Sequence, residues 1–124
     1  MKSRDALLRL KRFQAEERRR RVAQIELMVA EFSRMAVELD REIAGEETKT
    51  GNSDPKHFAY STYARAARTR RDNLKQSALD LNSQLAEAKA HFAEAQEELS
   101  KAQNLEVREK SGEHAETSGR ALRA

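Results

Sequence analysis

The densest cluster of charge in the sequence is a run of four consecutive arginines, Arg18, Arg19, Arg20 and Arg21. A guanidinium group holds several N–H donors in one plane, which suits carboxylate and phosphate ligands. Successive residues of a helix point in different directions, so the run would surround a helix and not fill one groove. Three interpretations stay open: a solvated ring paired with nearby acidic residues, a contact with an acidic protein partner, or nucleic-acid binding. The absence of aromatic residues within the run argues against nucleic acid.

A second group of residues with binding chemistry lies near the middle of the chain and comprises His57, Phe58, Tyr60 and Tyr63. Aromatic side chains bury large areas and commonly anchor protein contacts. They also pack over turns, and this structural role alone would explain Phe58 and Tyr63. Four rings in one short segment, followed by Arg65 and Arg68, nevertheless favour a contact surface for another protein.

Residues for catalysis, cofactor binding or metal coordination form no recognisable pattern. The histidines His57, His91 and His114 lie too far apart to share a metal ion on one helix face. The chain has no cysteine and no glycine-rich phosphate loop. Most of its 21 acidic residues are expected on solvated helix faces, which offer no shielded site for a catalytic carboxyl pair. We therefore predict a non-enzymatic protein without catalytic, cofactor-binding or metal-binding residues.

Composition indicates a single helical domain. The chain has 124 residues, of which 36% are charged and 5% aromatic, and such a chain has too few large apolar side chains for the core of an enzyme domain. No apolar run approaches the roughly 20 residues of a membrane span. The charged start of the sequence does not resemble a cleaved signal. Together with the lack of cysteine, these features predict a soluble cytoplasmic protein.

Two long apolar seams predict two helices, over about residues 3–47 and 62–110. Each seam alternates steps of three and four, the spacing of a coiled coil. The first consists of Val22, Ile25, Val29, Phe32, Ala36, Leu39 and Ile43. The second consists of Ala64, Ala67, Arg71, Leu74, Ala78, Leu81, Leu85, Ala88, Phe92, Ala95, Leu99 and Ala102.

Turn residues separate the two seams and define a connector over about residues 48–61. They include Thr48, Thr50, Gly51, Asn52, Asp54 and Pro55. Ser61 or Thr62 is a suitable cap for the second helix. After Leu105 the apolar pattern weakens, so residues 111–124 are predicted to form a flexible polar tail.

The expected fold is all-α, an antiparallel coiled-coil hairpin, because neither helix can bury its apolar stripe alone. Charge supports this orientation. Residues 1–25 carry a net charge of +6 and would face residues 83–107, which carry −3. Residues 26–50 carry −4 and would face residues 51–75, which carry +4. We expect a monomer, although an antiparallel four-helix bundle of two chains satisfies the same charge pattern.

Six segments resemble the FliJ family of flagellar export proteins, particularly its alphaproteobacterial branch. They are residues 1–14 (MKSRDALLRLKRFQ), 21–26 (RVAQIE), 38–43 (ELDREI), 54–60 (DPKHFAY), 63–68 (YARAAR) and 70–74 (RRDNL). The resemblance covers about residues 1–105. Heptads match many unrelated proteins, so its weight rests on residues 1–14 and 54–60.

The resemblance implies a soluble stalk-like component of the type III export apparatus, active in flagellum biogenesis and motility. Its expected partners are the hexameric export ATPase, the membrane-embedded export gate and export chaperones, with no nucleic acid. Its expected location is the cytoplasm, peripheral to the inner membrane when assembled. We assign the ATPase contact to Arg18–Arg21 and the gate contact to the group that begins at His57. The alternative is a generic coiled-coil scaffold or homodimeric interaction protein without an ATPase partner.

Overall fold

A computed structural model describes the backbone of residues 2–123 and the side chains of residues 3–112. Two helices, α1 (Lys2–Thr50) and α2 (Thr62–Arg123), account for nearly all of this part of the chain, which contains no strand. The helices pack against each other in antiparallel orientation, joined by residues 51–61. The predicted all-α hairpin is therefore confirmed.

The contacts divide the chain into two compact units, each with a segment of both helices. Unit 1 comprises Met1–Val22 and Ala88–Ala124, and unit 2 comprises Ala23–Glu87. The described residues include no helix with the length and apolar character needed to cross a bilayer.

Both helices extend beyond their predicted ends. Thr48 and Thr50 lie within α1, and their hydroxyls donate to the carbonyls of Ala44 and Glu46, one turn back. The helix ends at Thr50, and the next residue, Gly51, has a φ of 72° and donates its N–H to the carbonyl of Glu47. Glycine adopts this left-handed conformation without steric cost, which is why it ends helices so often.

The second helix does not end near residue 110 but continues to Arg123. No proline follows Pro55, and a glycine inside a helix, such as Gly112, costs only about 1 kcal/mol relative to alanine. The side chains of residues 113–124 lie outside the described part of the chain, so the flexibility expected for residues 111–124 stays a prediction.

Unit 2 has the larger apolar core. Every seam position predicted for this unit is buried or half-buried. Leu39 and Ile43 of α1 pack with Ala67 of α2, and Leu74 covers this cluster. Ala64 is fully buried, so its small side chain allows the two backbones to approach closely.

Unit 1 has a thinner core, formed by the buried residues Leu8, Ala15, Ala88 and Ala102. The other large apolar residues near the start of α1, which are Leu7, Leu10 and Phe13, keep much of their surface exposed. Among the side chains described in this unit, two ion pairs join the helices, Arg4 with Glu109 and Lys11 with Glu98. Both set a basic residue of α1 against an acidic residue of α2, and the pair of Lys11 with Glu98 joins the two segments that the charge pattern predicted to face each other.

Candidate partner-binding surfaces

The connector of unit 2 is shaped by side chains that bond to its backbone. The side-chain oxygen Oδ1 of Asn52 accepts the backbone N–H of Asp54 at 3.1 Å. The Asp54 carboxylate accepts the N–H of Lys56 at 3.0 Å. Such short-range bonds replace the helical pattern with defined turns. The segment is therefore an ordered platform for the aromatic residues that follow.

His57 is the organising residue of this platform. Its Nδ1 accepts the backbone N–H of Ala59 at 3.0 Å and lies 3.1 Å from the amide nitrogen of Asn52. A backbone N–H only donates, so Nδ1 is the acceptor in the bond with Ala59. His57 thus combines its predicted place in a contact surface with a structural role.

Phe58 is the most exposed large apolar residue described, with 95% of its surface accessible. Its ring stacks on that of His57, with centroids 4.6 Å apart and planes at 25°. An exposed phenylalanine held by a neighbouring ring offers a partner a large apolar area at little entropic cost.

Tyr60 does not belong to the accessible surface, because only 5% of it is exposed. Its hydroxyl donates to the Glu47 carboxylate at 2.9 Å. The Arg65 guanidinium lies 5.5 Å from its ring centroid, and Arg68 forms an ion pair with Glu47. Tyr60 therefore ties the connector to α1, so its assignment as a contact residue needs correction.

Tyr63 combines both roles. Its hydroxyl donates to the Glu42 carboxylate at 2.9 Å, while 57% of the residue stays exposed. This hydrogen bond is the main cause of a raised pKa at Tyr63, because a phenolate would lose it and face the negative carboxylate. The ring of Tyr63 therefore remains accessible although its hydroxyl is held.

Three carboxylates of α1 form an anchoring set that sequence reasoning missed. Each accepts one hydroxyl from the start of α2 or the residues just before it: Glu47 from Tyr60, Glu46 from Ser61, and Glu42 from Tyr63. Ser61 Oγ also accepts the backbone N–H of Ala64 at 3.2 Å, which makes Ser61 the helix cap. The only signal in the sequence was the density of carboxylates and hydroxyls on the two sides of the connector.

The four arginines belong to unit 1, and all are exposed. Arg19 donates to Glu16 through Nε at 3.0 Å, and the Arg20 Nε lies 3.6 Å from the same carboxylate. The hydrogen bond with Arg19 is the main cause of a lowered pKa at Glu16. Arg19 and Arg20 are thus solvent-exposed arginines paired with a nearby acidic residue, as the first of the three interpretations describes.

Arg18 and Arg21 differ from their neighbours. Within the described residues, neither has a carboxylate oxygen within 4.0 Å. Arg18 lines an open cleft of unit 1 together with His91 and the acidic residues Glu94 and Glu98. Arg18 and Arg21 are therefore the members of the run with charge left for a partner.

Among the described residues, no group of three or more histidine and acidic side chains is arranged to hold a metal ion. Comparison with protein-family models, with curated proteins and with solved structures gave no match.

Proposed function

We propose that this chain is a non-enzymatic component of the bacterial flagellar type III export apparatus. It acts as a central stalk that binds the hexameric export ATPase, promotes assembly and activity of the ring, and links it to the export gate and export chaperones. The observation that carries the proposal is the antiparallel hairpin of α1 and α2, the architecture that the resemblance to FliJ implies. The resemblance itself rests chiefly on residues 1–14 and 54–60.

The exposed arginines support a contact with the ATPase. Arg18 and Arg21 have no described carboxylate oxygen within 4.0 Å of their guanidinium groups, whereas Arg19 and Arg20 share Glu16. An acidic pore surface would pair with them in charge-assisted hydrogen bonds. Charge complementarity of this kind speeds association and fixes orientation.

The connector supports a contact with the export gate. Phe58 presents almost its whole ring, and the adjacent His57 ring supports it. Tyr63 adds a second accessible ring. Aromatic residues of this kind are frequent binding hot spots. We assign the gate contact to Phe58 and Tyr63, with His57 and Tyr60 holding the segment in place.

Binding of the purified chain to the cognate export ATPase tests the first contact. Arg18→Glu with Arg21→Glu should weaken binding at least about tenfold, which corresponds to about 1.4 kcal/mol. The matched control is Lys89→Glu with Arg108→Glu, which changes the net charge equally at two other exposed positions of unit 1. Equal weakening by both pairs would leave only a general charge effect and would refute the assignment.

The gate contact has its own test. Phe58→Ala should weaken binding to the soluble domain of the gate protein while leaving ATPase binding unchanged. Leu79→Ala removes another exposed apolar side chain of unit 2 and serves as control. If Phe58→Ala, but not Leu79→Ala, weakened ATPase binding and left gate binding intact, the assignment of the gate contact to Phe58 would be wrong.

The alternative function is a generic coiled-coil scaffold or homodimeric interaction protein without an ATPase partner. The exposed apolar residues of α1, such as Leu27, are the observation in its favour. It predicts no binding to the ATPase even at low salt, and this absence of binding separates it from the main proposal. Under the main proposal the protein works in the cytoplasm, peripheral to the inner membrane and without nucleic acid. A DNA or RNA complex that weakens steeply with salt would argue against both functions.

A further inference from the structure

The outer face of α1 in unit 2 carries a second heptad stripe, separate from the seam that faces α2. Its members alternate steps of four and three, and all of them are exposed: Ala23, Leu27, Ala30, Arg34, Val37, Arg41, Ala44 and Thr48. Leu27 keeps 71% of its surface accessible and Val37 keeps 49%. A stripe with coiled-coil spacing on the solvent side of a helix is suited to packing against one more helix.

The charges along this stripe are self-complementary. Arg34 and Arg41 lie within it seven residues apart, and Glu31 and Glu38 lie beside it with the same separation. All four are exposed, and none forms an ion pair with another described residue. A helix that carries this pattern in the opposite direction would place each arginine near a glutamate. The α1 helix of a second copy of this chain, placed antiparallel to the first, is such a helix.

We propose that two copies of this chain pair through the outer stripes of their α1 helices, antiparallel and related by a two-fold axis. In the register that sets stripe against stripe, Leu27 faces Ala44 of the second copy and Arg34 faces its Val37. The arginine heads then reach the flanking glutamates, Arg34 toward Glu38 and Arg41 toward Glu31 of the second copy. Each contact occurs twice, so the interface closes as a dimer.

The antiparallel direction follows from the same charges. A parallel pair in register would place Arg34 against Arg34 and Arg41 against Arg41 across the seam, and like charges there disfavour that arrangement. Alanine occupies three of the eight stripe positions, so the buried area is modest compared with the roughly 800 Å² per partner of a stable complex. The dimer is therefore weak, with a dissociation constant on the order of micromolar.

Disulfide trapping tests the register directly, because the natural sequence has no cysteine. The variant Leu27→Cys/Ala44→Cys should form a covalent dimer under mild oxidation. The two positions lie about 25 Å apart along one helix, given a rise of 1.5 Å per residue. A disulfide needs Cα atoms about 4.4–6.8 Å apart, so these cysteines can bridge only between chains.

Leu27→Cys alone is the matched control. In the proposed register the two copies of residue 27 also lie about 25 Å apart, so this variant should stay monomeric under the same conditions. Efficient trapping of the control would indicate a parallel pair and overturn the proposal. Failure of the double variant to cross-link would overturn it as well.

Sedimentation equilibrium of charge-reversed variants tests the pairing of arginines with glutamates between the two copies. The variant Arg34→Glu/Arg41→Glu sets glutamate against glutamate and should raise the dissociation constant at least about tenfold. Glu31→Arg/Glu38→Arg should do the same, and an equimolar mixture of the two should restore the dimer. Circular dichroism confirms that each variant keeps its helical content. Wild-type protein that stays monomeric up to about 0.5 mM, far above micromolar affinity, or a mixture that fails to pair, would refute the proposal.

Discussion

Replacing Tyr60 by phenylalanine removes one hydroxyl and leaves the buried ring in place. That hydroxyl donates to the Glu47 carboxylate at 2.9 Å in a part-buried setting. Hydrogen bonds to charged groups contribute about 1.5–3 kcal/mol. Glu47 keeps its ion pair with Arg68 at 3.6 Å after the change, so the loss should lie at the low end of that range. We expect Tyr60→Phe to lower the free energy of unfolding by about 1.5 kcal/mol.

Urea unfolding followed by circular dichroism measures this loss. With a slope of about 1–3 kcal/mol/M for a small protein, the midpoint should fall by about 0.5–1.5 M at unchanged slope. Tyr63→Phe is the matched control, since it removes a hydroxyl that donates to Glu42 at the same distance from an exposed residue. Its effect should be clearly smaller, because water replaces an exposed partner readily.

A double-mutant cycle isolates the contact between Tyr60 and Glu47. In a Glu47→Ala background the hydroxyl of Tyr60 has lost its acceptor, so the further change Tyr60→Phe should have little effect. Equal losses from Tyr60→Phe with and without Glu47 would refute the reasoning. So would a loss from Tyr63→Phe as large as that from Tyr60→Phe.

Two further predictions concern glycine and pH. Gly51→Ala should destabilise the protein by about 1 kcal/mol, because Gly51 has a φ of 72°; Gly45→Ala, with nothing within 4 Å of the added carbon, should stabilise α1 by about 0.5–1 kcal/mol. Thermal unfolding of both variants checks this pair, and equal signs would contradict it. The pKa of Tyr63 is raised, so the folded state holds the phenolic proton more tightly than the unfolded state does. The stabilisation that results is complete below the ordinary pKa of 10.0 and is lost as pH rises through the raised pKa. Unfolding of the wild type should therefore become easier above about pH 10 to a greater extent than unfolding of Tyr63→Phe, and parallel pH profiles would contradict this.

The helical seams were predictable because their spacing alone determines which face of each helix is apolar. Every seam residue, from Val22 to Ala102, is buried or half-buried. The charge pattern likewise predicted that the basic residues 1–25 face the acidic residues 83–107, and the ion pair of Lys11 with Glu98 in unit 1 agrees with this. These features depend on periodicity and net charge, which a sequence displays directly.

The details of the connector were not predictable in the same way. Thr48 and Thr50 resemble turn residues, yet their hydroxyls bond to the preceding helical turn and they remain in α1. Tyr60 resembles an exposed contact residue, yet its hydroxyl reaches Glu47 and its ring is buried. The hydrogen bond of Tyr60 joins residues that only the folded chain brings together, so no local pattern in the sequence indicates it.

The ATP hydrolysis rate of the cognate flagellar export ATPase, with and without this protein, tests the central claim most directly. A stalk that promotes ring assembly should raise both the rate and the fraction of hexamer, and Arg18→Glu with Arg21→Glu should abolish the increase while the Lys89→Glu, Arg108→Glu control retains it. An unchanged rate, with no complex formed at low salt, would contradict the account.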